Sequence, residues 1–188
     1  MHRRTARTSE SRVVGRRAVI TLELIFAIPM LLIVLLAVVE VGLILAASKH
    51  VEFASREGAK LAAEVSRSGG PPNLGSFNLP ATVNNLKDQV DDYLVTAGYT
   101  NSCTVILEHN VASVPNSVQT DDDGQPCNCE AIGNLPSVVP GPPATNVESV
   151  RVTVCLPMDG NIPNCLAVFG FDLADCTIRQ STVWRFER

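Results

Sequence analysis

AVITLELIFAIPMLLIVLLAVVEVGLILAAS, residues 18–48, is one apolar run carrying only two charges, Glu23 and Glu40. A cleavable leader has an apolar core of about 7–15 residues followed by a small-x-small cleavage site. This run is far longer, and Leu45 fills the −3 position before a cut after Ala47. A membrane span needs about 20 apolar residues, and residues 24–47 are 24 residues with one charge, Glu40. Sixteen of these are Leu, Ile, Val or Phe. Together they favour insertion by roughly 8 kcal/mol, against a cost of roughly 3 kcal/mol for one central charge. Insertion wins despite Glu40. Pro29 lies near the start of the span, where a membrane helix tolerates it.

Outward from this run the charge is asymmetric. Residues 1–17 hold six arginines and one acid, Glu10, whereas the whole chain is −4. A basic patch before an apolar run stays in the cytoplasm, so the remainder is expected outside it. The predicted location is the inner membrane, single-pass, with the N-terminus cytoplasmic and the C-terminal domain extracytoplasmic. The acidic remainder argues against nucleic acid as a partner. All six cysteines, Cys103, Cys127, Cys129, Cys155, Cys165 and Cys176, follow the run. An even count in the extracytoplasmic part predicts disulfides, with connectivity unreadable. Cys127-Asn-Cys129 is not a CxxC pair and has no nearby histidine, so no metal is expected.

Beyond the run, Val51, Ala54, Gly58, Leu61 and Val65 continue a helical stripe. Glu52, Arg56, Lys60 and Glu64 form an i,i+4 charged row on the same segment. One helix is therefore expected from about residue 20 to residue 65, about 70 Å long. It would pack its small-residue face on its own domain or on a sister subunit. His50 is expected at the membrane boundary. A turn-rich connector follows at 68–79, then a helix from Pro80 to Gly98 with Val83, Leu86, Val90 and Leu94 buried. Strands are predicted at 103–107, 148–156 and 176–186, with a further extended segment at 165–171. In the second, Val150, Val152, Val154 and Leu156 alternate with Ser149, Arg151, Thr153 and Cys155. Residues 109–147 read as one long loop holding six of the twelve prolines and the acidic turn Asp121-Asp122-Asp123-Gly124. That turn lacks the ligand spacing of an EF-hand. The expected fold class is α+β. A basic tail (1–17) and a long transmembrane helix (18–67) precede an extracytoplasmic domain (80–188) with an antiparallel sheet, one face of it against the helix.

A carboxylate within a membrane segment is costly and needs a partner. Glu23 lies five residues past a possible cut between Ala18 and Val19. Such a cut would free an α-amine at Val19 to pair with Glu23 between neighbouring helices. Glu23 and Glu40, 17 residues apart, sit about 100° apart on an ideal helix and need separate partners.

Arg16 to Leu24, RRAVITLEL, resembles the start of the TadE-like family, minor pseudopilins of the Tad (Flp-type) pilus assembly system. Val39-Glu40-Val41-Gly42 resembles the family's Glu-aromatic-Gly patch, and Ala54-Ser55-Arg56-Glu57-Gly58-Ala59-Lys60 resembles its A-x-R-E-G-A-R segment. Ala18 stands where the family usually has Gly. The resemblance implies a processing junction at Ala18 and Val19, helix registration by Glu23 and Glu40, and a family motif at Arg56, Glu57 and Gly58. It implies other pilus or pseudopilin subunits, and a prepilin peptidase, as partners. No hydrolase, phosphate-loop, dinucleotide or zinc-protease motif is present. The expectation is therefore a non-enzymatic protein without cofactor or small-molecule substrate. The alternative is an unprocessed, single-pass, signal-anchored surface binding or adhesion module.

Overall fold

The computed structural model describes residues 11–69, 85–110, 117–124, 127–133, 135 and 147–187. Helix α1 spans Ser11–Gly69 without interruption and passes through Pro29. It begins within the stretch read as a polar tail and ends two residues past the expected boundary. The connector at 70–84, and with it Val83, lies outside the described residues.

Helix α2 spans Leu86–Thr96, later than the Pro80 start read from the sequence. Its start is set by Asn85, whose side chain accepts from the Asp88 N–H at 2.7 Å, filling an orphan donor of the first turn. Gly98 ends the helix in the left-handed region at φ 91°, while Tyr99 N donates to Leu94 O, a glycine-dependent stop. Leu86, Val90 and Leu94 are buried as the periodicity requires.

Four strands follow: β1 (Thr104–His109), β2 (Ser117–Asp122), β3 (Val147–Pro157) and β4 (Thr177–Glu187). They form one antiparallel sheet in the order β2-β1-β3-β4. The presence of β2 corrects the reading of 109–147 as loop. Its sequence, SVQTDD, is polar because it is an edge strand, half-exposed along its length. The extended segment expected at 165–171 is instead a 3-10 turn, Ala167–Phe169, closed by Gly170 at φ 89°. Its residues are exposed, so no sheet face holds them extended.

The helix-facing side of the sheet carries Val105 and Leu107 of β1, opposite Val154 and Val152 of β3. Val152 and Val154 in turn face Thr182 and Gln180 of β4. Against them α1 lays Ala47, Val51, Ala54, Ala59, Ala62 and Ala63, all buried. Small side chains let the helix axis approach the sheet closely, and two polar contacts fix its position. Ser48 Oγ accepts from Gln180 Nε2 at 2.9 Å, and the Ser55 and Thr182 hydroxyls meet at 2.8 Å. The small-residue face is thus used within the chain, one of the two packings anticipated.

The opposite face of the sheet is also covered. Two disulfides, Cys103–Cys127 and Cys129–Cys155, hold the 127–133 segment over it. Beneath that segment lies a buried cross-strand pair, with Arg151 Nη1 3.2 Å from Glu108 Oε2. Gly133 completes it: its N–H donates to Glu108 Oε1 at 2.9 Å, and its carbonyl accepts from Arg151 at 2.7 Å. β3 is therefore buried on both faces. A second buried cluster ties α2 to the start of β1. Asp91 accepts from Lys87 Nζ (2.5 Å), Ser102 N (2.7 Å) and Ser102 Oγ (2.5 Å). Lys87 also reaches Asp123 at 2.9 Å. Burial alone would lower its pKa, but hydrogen bonds and charge from Asp91 and Asp123 outweigh this and raise it. The acidic run 121–124 is accordingly divided: Asp121 and Asp122 pair in β2, and Asp123 serves Lys87.

Candidate functional site

The candidate site is the surface of α1, read from its N-terminal part outward. Ala18 and Val19 lie inside the continuous helix. Between residues 21 and 39 every side chain is exposed except Ala37, which is half-buried. Leu, Ile, Val and Phe side chains point outward all round, including Leu22, Phe26, Leu31 and Val34. Among the described residues this is one helix long and apolar enough to cross a membrane, and its apolar part is almost free of contact with the rest of the chain. A core helix of a water-soluble domain would bury that surface. One N-terminal apolar helix of this kind is consistent with a single-pass anchor.

The two carboxylates behave differently. Glu23 is exposed on the apolar segment. Glu40 is buried at 4 % exposure, and its Oε2 accepts from the Leu166 N–H at 3.1 Å. The partner that Glu40 needs is thus supplied by the chain's own β3–β4 connection. From Glu40 onward the domain covers one side of α1, since Ala47 and Val51 are fully buried. This shortens the free apolar segment relative to the 24–47 span read from the sequence. His50 lies ten residues past Glu40, packed beside Tyr93 and Tyr99 with ring centroids 6.3 and 5.5 Å away. There it packs between α1 and α2, with its Nδ1 3.3 Å from the Tyr93 hydroxyl.

The Arg56-Glu57-Gly58 patch divides by face. Arg56 is exposed and pairs with Glu52, which also bonds Lys49 at 2.9 Å. The Lys49 hydrogen bond, then the charge of Arg56, lowers the Glu52 pKa. Glu57 is exposed and lines a groove of about 340 Å³ between α1 and α2, with Gln89, Asp92, Tyr93 and Thr96. Gly58 is buried: a Cβ there would stand 3.1 Å from Val152 Cγ1 and 3.4 Å from Val90 Cγ2. Its role is close approach to both β3 and α2.

The cysteines divide as well. Of the six candidates, four form the two bridges, whereas Cys165 and Cys176 are free and exposed. The two pairs join the 127–129 segment to β1 and β3, and the spacing of cysteines in the sequence carries no signal for that choice. Sequence reasoning also missed Leu166 and the turn after it. A backbone N–H has no sequence signature, and VFGF reads equally well as a strand.

No curated protein and no solved structure matches the chain. Residues 18–60, from the start of the apolar segment through the Arg56-Glu57-Gly58 patch, match the family model of TadE-like proteins.

Proposed function

We propose that this chain is a non-catalytic, membrane-anchored, pseudopilin-like component of a Tad (Flp-type) pilus assembly or secretion apparatus. The family is one of structural pilus components. The observation that carries the reading is that the matched residues coincide with the helix whose apolar surface is left exposed. In this reading α1 crosses the inner membrane, the six arginines of residues 1–17 stay cytoplasmic, and the disulfide-bonded domain lies outside.

A prepilin peptidase would cleave between Ala18 and Val19. The new α-amine would then neutralise Glu23 of a neighbouring helix, a pairing worth most in lipid, where an isolated carboxylate is costly. Glu40 has a different task, since its partner is intramolecular. Mass spectrometry of protein isolated from its native membrane tests processing. Val19 is the expected N-terminus, and a mature pool retaining residues 1–18 refutes cleavage. Glu23→Ala tests registration: the expected variant inserts normally and fails to assemble, and unchanged piliation refutes the role of Glu23.

A further inference from the structure

We infer that the turn 166–171 between β3 and β4 is a second membrane contact, dipping its apolar side chains into the extracytoplasmic leaflet beside α1. The inference rests on the membrane-span reading proposed above. Val168 is 90 % exposed, Phe169 52 % and Phe171 67 %. These apolar side chains are gathered in four residues, and no charged residue interrupts 165–171. Water is a poor environment for such a cluster, and soluble surfaces seldom gather one without a partner.

The height of the turn identifies the partner. The Leu166 N–H is bonded to Glu40, the first buried side chain of α1 after the free apolar segment. The 22 residues from Ala18 to Val39 rise about 33 Å as a helix, against a hydrocarbon core of roughly 30 Å. A core that begins near the basic residues Arg16 and Arg17 therefore ends near Glu40, at the level of the turn. Glu40 then sits in the interfacial zone, and its bond to Leu166 holds the turn against the helix there. Gly170, with φ 89°, reverses the chain between Phe169 and Phe171. The contact is apolar rather than electrostatic, because the nearest charges in sequence, Asp159 and Asp172, are acidic. Two attachments, helix and turn, would fix the tilt of the domain on the bilayer, which one helix alone leaves free.

The test uses the full chain in vesicles of phosphatidylethanolamine with a minor share of phosphatidylglycerol. Trp184, the single tryptophan, is replaced by Phe, and Phe169→Trp or Val34→Trp supplies the probe. The expected result for Phe169→Trp is blue-shifted emission, strong loss with lipids brominated near the headgroup, and protection from aqueous iodide. Val34→Trp should be quenched by lipids brominated at mid-chain. If it is not, the span reading fails and this inference with it. If Val34→Trp is quenched as expected but iodide reaches Phe169→Trp freely, the turn does not enter the bilayer and this inference alone is overturned. Protection that disappears as protein is diluted in lipid would also overturn it, by assigning the turn to a second copy of the chain.

Discussion

Gly58 offers a direct test of why α1 carries small residues. Replacing it with Ala sets two effects against each other. A helix-interior glycine costs about 1 kcal/mol relative to alanine, so the substitution should stabilise an unobstructed helix. Here the added methyl would meet Val152 Cγ1 at 3.1 Å, whereas carbon atoms pack at about 3.5–4.0 Å. Val152 is fully buried, opposite Leu107 on one side and Thr182 on the other. Its β-branched side chain has little rotamer freedom to retreat. Overpacking of this kind costs about 1–3 kcal/mol. The expected net effect of Gly58→Ala is therefore a loss of about 1 kcal/mol, a fall in midpoint of about 4–8 °C for a domain of this size. Val152→Ala removes the obstructing methyls, so in that background Gly58→Ala should stabilise by about 1 kcal/mol. The implied coupling between the sites is about 2 kcal/mol, within the range for contacting residues. Thermal unfolding of the full chain in detergent, followed by the fluorescence of Trp184 on β4, measures the cycle. Equal stabilisation by Gly58→Ala in both backgrounds would refute the close-approach role.

Arg151→Met should cost about 3–5 kcal/mol, because it leaves the Glu108 carboxylate buried without its cation. Adding Glu108→Leu should recover much of that loss, and recovery of none of it in unfolding experiments would contradict the desolvation argument. Each disulfide closes a loop, of sequence separations 24 and 26, and should contribute about 3 kcal/mol. Non-reducing peptide maps should join Cys103 to Cys127 and Cys129 to Cys155, with Cys165 and Cys176 alkylated without reduction; a Cys165–Cys176 link would contradict the assignment. Burial lowers the pKa of His109 more than the charge of Glu148 raises it. The unfolded chain therefore takes up the His109 proton first, so stability is full above about pH 6.5 and falls as pH drops below it. His109→Gln should flatten that part of the midpoint-versus-pH curve, and an unchanged slope would exclude His109 as its source.

The functional reading depends on both ends of α1, and they were not equally legible. The apolar run, the stripe Val51–Ala54–Gly58 and the resemblance over about residues 16–63 are local in sequence, because side chains on one helix are related by a fixed period. Gly58 could be marked from sequence as a family residue, but not as the point where β3 and α2 come nearest. Glu40 was recognisable as a carboxylate requiring a partner. The identity of that partner, 126 residues away in sequence, was not.

The sequence by itself determined the long apolar helix, α2 and the alternating core strand. Each follows from periodicity or end signals, which act over a few turns of chain. Tertiary structure alone decided which cysteines pair, that SVQTDD becomes an edge strand, and that the polar face of β3 is covered. Register explains the last two. Antiparallel pairing sets Thr104 opposite Asp122 and Cys155, and Glu108 opposite Arg151. A polar residue such as Arg151 reads as solvent-facing until a disulfide-held segment brings a carbonyl and a carboxylate to meet it. The end of the free apolar segment at Glu40 was decided in the same way, by where the β3–β4 turn returns to the helix.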